Sequence, residues 1–242
     1  MISCLMAGGS DRHATTQDTR ERVLDAASKL IVQGGIAALT TRAVAAAASV
    51  QPPALYRLFG EKRGLLNAVA ERGLAPFVAQ KASAKLHPDP VQDLRNAWDG
   101  FVAFGLANPA VFAIMNEIGA PGPAPPAMLT GISILRERVQ RIARKGQLRM
   151  PVERAVALIH AAGVGTVATL LATPVNMRDS QLATSACDAV LAAIVAGGPM
   201  HPRDAGIAPL AVALANRLGE AGGLTPGERL LLGELLDRLS AV

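Results

Sequence analysis

The side chains able to recognise an anionic or a base surface crowd into one stretch, residues 39–66. Thr40, Thr41 and Arg42 open it, and Gln51, Tyr56, Arg57 and Lys62 follow. Arg57 is the one long donor between Pro52 and Phe59. A guanidinium is a planar fork of N–H donors, and its two-bond contact with guanine is the commonest specific base contact. Arg42 is a second candidate for that role. Pro53 and Ala54 carry no side-chain donor and could touch only thymine methyls. A surface so equipped would read a short element, a G and a T per half-site, and take its remaining preference from DNA shape.

Catalytic constellations are missing. His13, His87, His160 and His201 have no metal-ligand spacing with one another or with carboxylates. No nucleophile elbow, P-loop or paired catalytic carboxylate is present, so no enzyme activity, metal or cofactor is expected. Gly163-Val164-Gly165-Thr166-Val167-Ala168 matches G-x-G-x-x-A. A dinucleotide turn needs a strand before it and alternating βα units, and the chain has neither pattern. Cys4 and Cys187, the only cysteines, are too far apart in the chain to suggest a disulfide framework or a zinc site. Cys187 sits in an apolar helical pattern and fits a small core residue.

Helices must position the donors. Residues 41–48 form a short, nearly all-alanine helical pattern, with Thr40 a good N-cap. Pro52 and Pro53 suit the first turn of a second helix, whose N–H groups have no intrahelical acceptor. Ser49 occupies the turn between them. Two helices joined by three or four residues make a helix-turn-helix, whose second helix can enter the DNA major groove. Leu55 and Phe59, four apart, should face inward and leave Pro53, Ala54, Tyr56, Arg57 and Leu58 outward. Ahead of this unit, Val23, Ala27, Leu30 and Ile31 make one apolar stripe on a helix over 17–33, which Gly34-Gly35 ends.

The run Ala54-Leu55-Tyr56-Arg57-Leu58-Phe59-Gly60-Glu61-Lys62-Arg63-Gly64-Leu65-Leu66 resembles the signature of TetR-type transcriptional repressors. The resemblance extends over residues 18–72, and the Thr40-Thr41-Arg42 start is also common there. It implies that Tyr56 and Lys62 contact backbone phosphate and that Thr41 and Arg42 reach the DNA from the second helix. It also implies a helical ligand-binding body, with the helix from about Glu61 towards Gln80 joining it to the DNA-binding head. The family usually has Gly where this chain has Ser49. If that position needs a positive φ, serine costs about 1 kcal/mol there.

Length and composition agree with such a body. The 242 residues allow one large or two modest domains. Half are hydrophobic but only 3% aromatic, which favours close-packed helices over strands. Residues 1–75 hold nine Lys/Arg against six Asp/Glu, three of the chain's five excess positive charges. That fits a phosphate-facing surface, and equally ordinary surface charge. No secretory signal is evident, so the cytoplasm is expected.

The expected organisation is a flexible leader over 1–15, a three-helix helix-turn-helix domain over 16–72, a ligand-binding and dimerisation domain over 73–198, and additional helices over 199–242. Trp98 and three of the five Phe, Phe101, Phe104 and Phe112, lie in one segment ending at Met115. That segment resembles a local pattern in ligand-binding halves of the family. The cluster, with Met115, Ile132 and His160, is a candidate pocket wall for a small apolar or amphipathic ligand; simple core packing explains any one of these residues equally well. From Ala155 to Met177 no residue is charged, a length that could span a bilayer. Its Ala, Gly and Thr content fits better a helix buried at a subunit interface, partnered by a helix over 179–195 with Leu182, Ala186, Ala189, Val190, Ala193 and Ile194 inward. In the family the last two major helices pair with their dimer mates, and two-fold dimers match palindromic operators.

The expectation is therefore an all-α homodimeric repressor of double-stranded operator DNA, released by a small-molecule inducer, with no membrane partner. The rival is a helical ligand-binding or scaffolding protein without sequence-specific DNA binding.

Overall fold

The computed structural model describes residues 10–117, 123–196 and 207–240. Among them the regular elements are helices: α1 Ser10–Gly34, α2 Thr41–Ala48, α3 Pro52–Phe59, α4 Lys62–Ser83, α5 Pro90–Ala107, α6 Pro109–Met115, α7 Pro126–Arg144, α8 Val152–Ala172, α9 Leu182–Ile194, α10 Ile207–Ala215 and α11 Pro226–Ser240. Three 3-10 turns and one isolated antiparallel bridge, Leu148 to Val195, complete them. The all-α expectation holds.

The chain forms two compact units. One comprises Met1–Val78 and Asn108–Leu129, the other Ala79–Ala107 and Thr130–Val242. The boundaries fall inside α4, between α5 and α6, and inside α7. Residues 108–129, read from the sequence as part of the carboxy-terminal domain, pack with the amino-terminal unit.

In the first unit α1 to α4 close over one core. Val23, Leu24, Ala27 and Ile31 of α1 meet Val44 and Ala48 of α2, Leu55 of α3, and Leu66 and Val69 of α4. Ala110 and Ile114 bring α6 into the same cluster. Arg72 of α4 ties back to α1 through Glu21 and Asp25, at 3.0 and 2.8 Å. Both pairs are partly exposed, so each contributes at most about 1 kcal/mol.

One expectation needs correction here. Helix α1 starts at Ser10, inside the segment read as a leader. Between Gly9 and Gln17 no Gly or Pro stops the helix from extending backward. Farther along the first unit, Pro76 lies inside α4. It is exposed, so the Arg72 carbonyl, which loses its intrahelical donor at Pro76, faces a side open to water.

In the second unit α5, α8 and α9 pack together, and α10 packs on α11. Cys187, Leu191 and Ile194 form the buried stripe of α9. Ala189 and Ala193, expected inward, are exposed. The larger side chains take the core and the alanines are left outside. Helix α8 is the one described helix long and apolar enough to cross a membrane. Two arginines of α7 are engaged within this unit. Buried Arg138 donates to Asp93 at 3.2 Å, and Arg141 donates to the same carboxylate at 2.9 Å and to the His87 carbonyl at 2.7 Å. Paired in this way, the buried charges avoid the cost of lone ones.

Candidate nucleic-acid interface

Local hydrogen bonding fixes the α2–turn–α3 geometry. The Thr40 hydroxyl accepts from the Ala43 N–H at 3.1 Å and caps α2. At the other end Ser49 has φ 54° and ψ 46°, the left-handed conformation. Its N–H donates to the Ala46 carbonyl and that of Val50 to the Ala45 carbonyl, the paired bonds of a Schellman closure. Ser49 is the one described non-glycine residue with positive φ. The turn thus has the geometry that glycine would take more cheaply.

Gln51 is extended, and Pro52 and Pro53 occupy the first turn of α3. Gly60, at φ 68°, ends that helix, its N–H donating to the Tyr56 carbonyl at 2.8 Å. At Gly64 a Cβ would strike the Phe59 carbonyl, so a side chain there would force α3 and α4 apart.

The faces sort largely as the spacing predicts, except that Leu58, expected outward, is half-buried. Leu55 is buried, and Phe59 packs on the core with the Arg20 guanidinium 5.2 Å from its ring centre. Thr41, Arg42, Gln51, Pro53, Tyr56, Arg57 and Lys62 are all exposed, and Ala54 is half-buried. Tyr56 is 58% exposed, high for a tyrosine on a short helix over a packed core. Thr41, Tyr56 and Lys62 line one cleft of about 30 Å³, floored by Leu39, Val44 and Leu55. The Lys62 ammonium donates to the Ile36 carbonyl at 3.3 Å, which holds it at the cleft. A hydroxyl, a phenol and an ammonium around a space this small, beside the positive end of α2, suit a phosphate oxygen. Arg42, Gln51, Pro53, Ala54 and Arg57 do not line that cleft. Arg42 and Arg57 stand as free-reaching donors beside it.

One set of polar residues escaped the sequence reading. Arg63, Asn67 and Glu71 lie one turn apart along α4. Arg63 pairs with Glu117 at 2.7 Å, Asn67 donates to the Pro123 carbonyl at 3.4 Å, and Glu71 accepts from the Ala127 N–H at 3.0 Å. The Glu71 carboxylate thereby caps α7. Spacing of i, i+4 and i+8 is the signal that would have found them.

The candidate ligand residues divide between the units. Phe112 and Met115 belong to the first, and Trp98, Phe101, Phe104, Ile132 and His160 to the second. Trp98, Phe104 and Phe112 are buried; Phe101, Met115, Ile132 and His160 are half-buried. Gly163 of α8 sits against the rings of Phe101 and Trp98, and the Trp98 indole N–H donates to the Ala183 carbonyl at 3.0 Å. Burial pushes the His160 pKa below its ordinary value. Among the described residues no cluster of His, Cys, Asp and Glu could hold a metal ion.

Residues 23–69 match the model of bacterial regulatory proteins of the tetR family. This is a TetR-family DNA-binding domain. The matched span runs from the first core residue of α1 to the middle of α4, and so contains the whole helix-turn-helix and its cleft. The TetR-family likeness also extends to solved structures. SmeT from Stenotrophomonas maltophilia, described as the repressor of the multidrug efflux pump SmeDEF, is 28% identical, with 77% of this chain and 95% of that one covered and a TM-score of 0.56. A TetR variant from Acinetobacter baumannii, in complex with minocycline, is 27% identical over 71% of this chain and 93% of that one, TM-score 0.52. A putative tetR-family regulator from Shewanella is 19% identical over 74% and 98%, TM-score 0.59, and shares the fold. No curated protein sequence matches the chain.

Proposed function

We propose that this chain is a ligand-responsive transcriptional repressor that binds palindromic operator DNA as a homodimer in the cytoplasm and is released by a small-molecule inducer. The observation that carries the reading is the cleft shared by Thr41, Tyr56 and Lys62, with Arg57 and Arg42 exposed beside it. The cleft would seat a backbone phosphate and fix the register of α3 in the major groove. Arg57 would then read guanine, and Arg42 would add a second contact. Phosphate contacts supply affinity and salt dependence, and base contacts supply the sequence preference.

In this reading α1 to α4 of the first unit bind DNA, the second unit holds the ligand, and Trp98, Phe101, Phe104 and His160 contribute pocket wall. SmeT has also been solved with triclosan and the Acinetobacter TetR variant with minocycline, which supports a small-molecule inducer. The Arg63–Asn67–Glu71 ladder gives the signal a route, because it binds α4 to the segment that leads into α7. Ligand shifts the equilibrium only through differential affinity for the DNA-bound and released states. The homodimer finds support on the outer side of α8 and α9. There Leu158, Ala161, Gly165, Ala168 and Ala172 form an exposed stripe, with Ala189, Ala192 and Ala193 on α9. Residues this small let two helices approach closely.

Selection of binding sites from random duplex DNA at two salt concentrations tests the reading. Enrichment of a palindrome with a guanine in each half-site is the expected result. Steeply salt-dependent binding that enriches nothing would refute sequence-specific repression and favour a ligand-binding or scaffolding protein.

A further inference from the structure

The carboxy-terminal hairpin of α10 and α11 keeps a small core of its own. Ala211, Leu218 and Leu236 are buried in it, with Ala215, Leu224 and Leu232 packed around them. Its outer faces carry large apolar side chains interleaved with the exposed charges Glu228, Glu234, Asp237 and Arg238. Seven of the fourteen large exposed hydrophobic residues among those described lie in these two helices. They include Ile207, Leu210 and Leu214 on α10, and Leu230, Leu231 and Leu235 on α11, with Leu230 exposed by 79% and Leu231 by 59%. Single exposed leucines are ordinary, but a concentration on one hairpin marks a surface that meets a partner.

We infer that this hairpin is a second homodimer contact, by which each copy clasps the other beside the α8–α9 stripe. The inference rests on the homodimeric reading above. Three observations choose a second copy as the occupant. The first is area. Among the exposed residues of α8 and α9 there is one large apolar side chain, Leu158; the others are alanine, glycine and short polar residues, with Glu153 and Arg154 at the start of α8. A stable interface removes about 800 Å² per partner, and small side chains cover little of that. The hairpin leucines supply the apolar area the stripe lacks. The second is continuity. Val212 and Ala215 of α10 and Ser240 of α11 line a cleft of about 220 Å³ with Pro151 and Val152. The hairpin therefore sits at the start of α8, the helix that carries the stripe. The third is charge. Residues 207–240 hold three Arg and four Asp/Glu. A surface of that balance favours neither an anionic membrane nor nucleic acid, and interleaved charges of both signs suit a face that must complement itself across a two-fold axis.

Sedimentation equilibrium of the full-length chain tests this, comparing wild type, the double variant Leu231→Ser/Leu235→Ser, and Ala161→Glu on the stripe. The double variant should raise the dimer dissociation constant at least ten-fold with unchanged helix content, and Ala161→Glu should be monomeric. A wild-type constant in the double variant, with Ala161→Glu monomeric, overturns the clasp and leaves the homodimer standing. A wild type that is monomeric throughout overturns both. Hydrogen exchange of wild type serves if the double variant loses helix. Amides of α11 should become protected as concentration rises through the dissociation constant, and constant exchange there overturns the proposal. Binding of wild type to phosphatidylglycerol vesicles that the leucine substitutions abolish would name a lipid occupant and overturn it also.

Discussion

Individual residues carry the DNA-binding argument, and two of them show how local geometry and function compete. Ser49 holds a left-handed conformation that L side chains resist by about 1–2 kcal/mol. Ser49→Gly should stabilise the chain by a few tenths to about 1 kcal/mol, because glycine's greater freedom in the unfolded chain offsets part of the gain. Urea unfolding checks it, and a destabilised variant would mean that the hydroxyl matters more than the strain. Arg57 and Lys62 are both exposed cations, but only Lys62 is tethered at the cleft. Arg57→Ala should relax preference at one base position by about 1–3 kcal/mol. Lys62→Ala should weaken all sequences alike and reduce the salt slope by about 1. Binding titrations across salt and single-base operator variants separate the two, and equal losses on every sequence for Arg57→Ala would remove its reading role. His160 titrates in the opposite sense to a paired histidine. Burial lowers its folded-state pKa below 6.5, so the unfolded chain binds the proton first. Its contribution to stability is intact above about pH 6.5 and is lost as pH falls from there towards the folded-state pKa. Unfolding midpoints at pH 7.5 and 5.5 should therefore diverge more for wild type than for His160→Gln, and identical pH slopes would exclude the effect.

At the scale of elements, α4 does more than its apolar face suggests. Its inward residues Leu65, Leu66 and Val69 build the core, and the row Arg63, Asn67 and Glu71 holds the residues that precede and open α7. Glu71→Ala would leave the N–H of buried Ala127 without its acceptor, at a cost of about 1–3 kcal/mol. Asn67→Ala should cost less, since its bond is long at 3.4 Å. Denaturant midpoints of the two variants order them, and a reversed order would show that the cap at α7 is not the main contact. The α9 stripe shows why periodicity alone misassigned faces. Ala189 and Ala193 fit an inward face by spacing, but the tighter choice of Cys187, Leu191 and Ile194 buries more apolar area per turn.

For the whole molecule, much was legible before any coordinates. Aromatic poverty with alanine excess implied helices. Thr40, the proline pair and the Leu55/Phe59 spacing placed the helix-turn-helix. These are local determinants, set by backbone sterics and hydrogen bonds within a few residues, so sequence alone decides them. Distant partners were not legible. Nothing in the spacing of Thr41, Tyr56 and Lys62 says that they share one cleft, or that Lys62 is held by the Ile36 carbonyl. Nor could sequence pair Asp93 with Arg138 and Arg141, assign residues 108–129 to the amino-terminal unit, or leave the α11 leucines outside. Each of those depends on which faces win burial once the helices of each unit pack together, a choice made only by the tertiary structure.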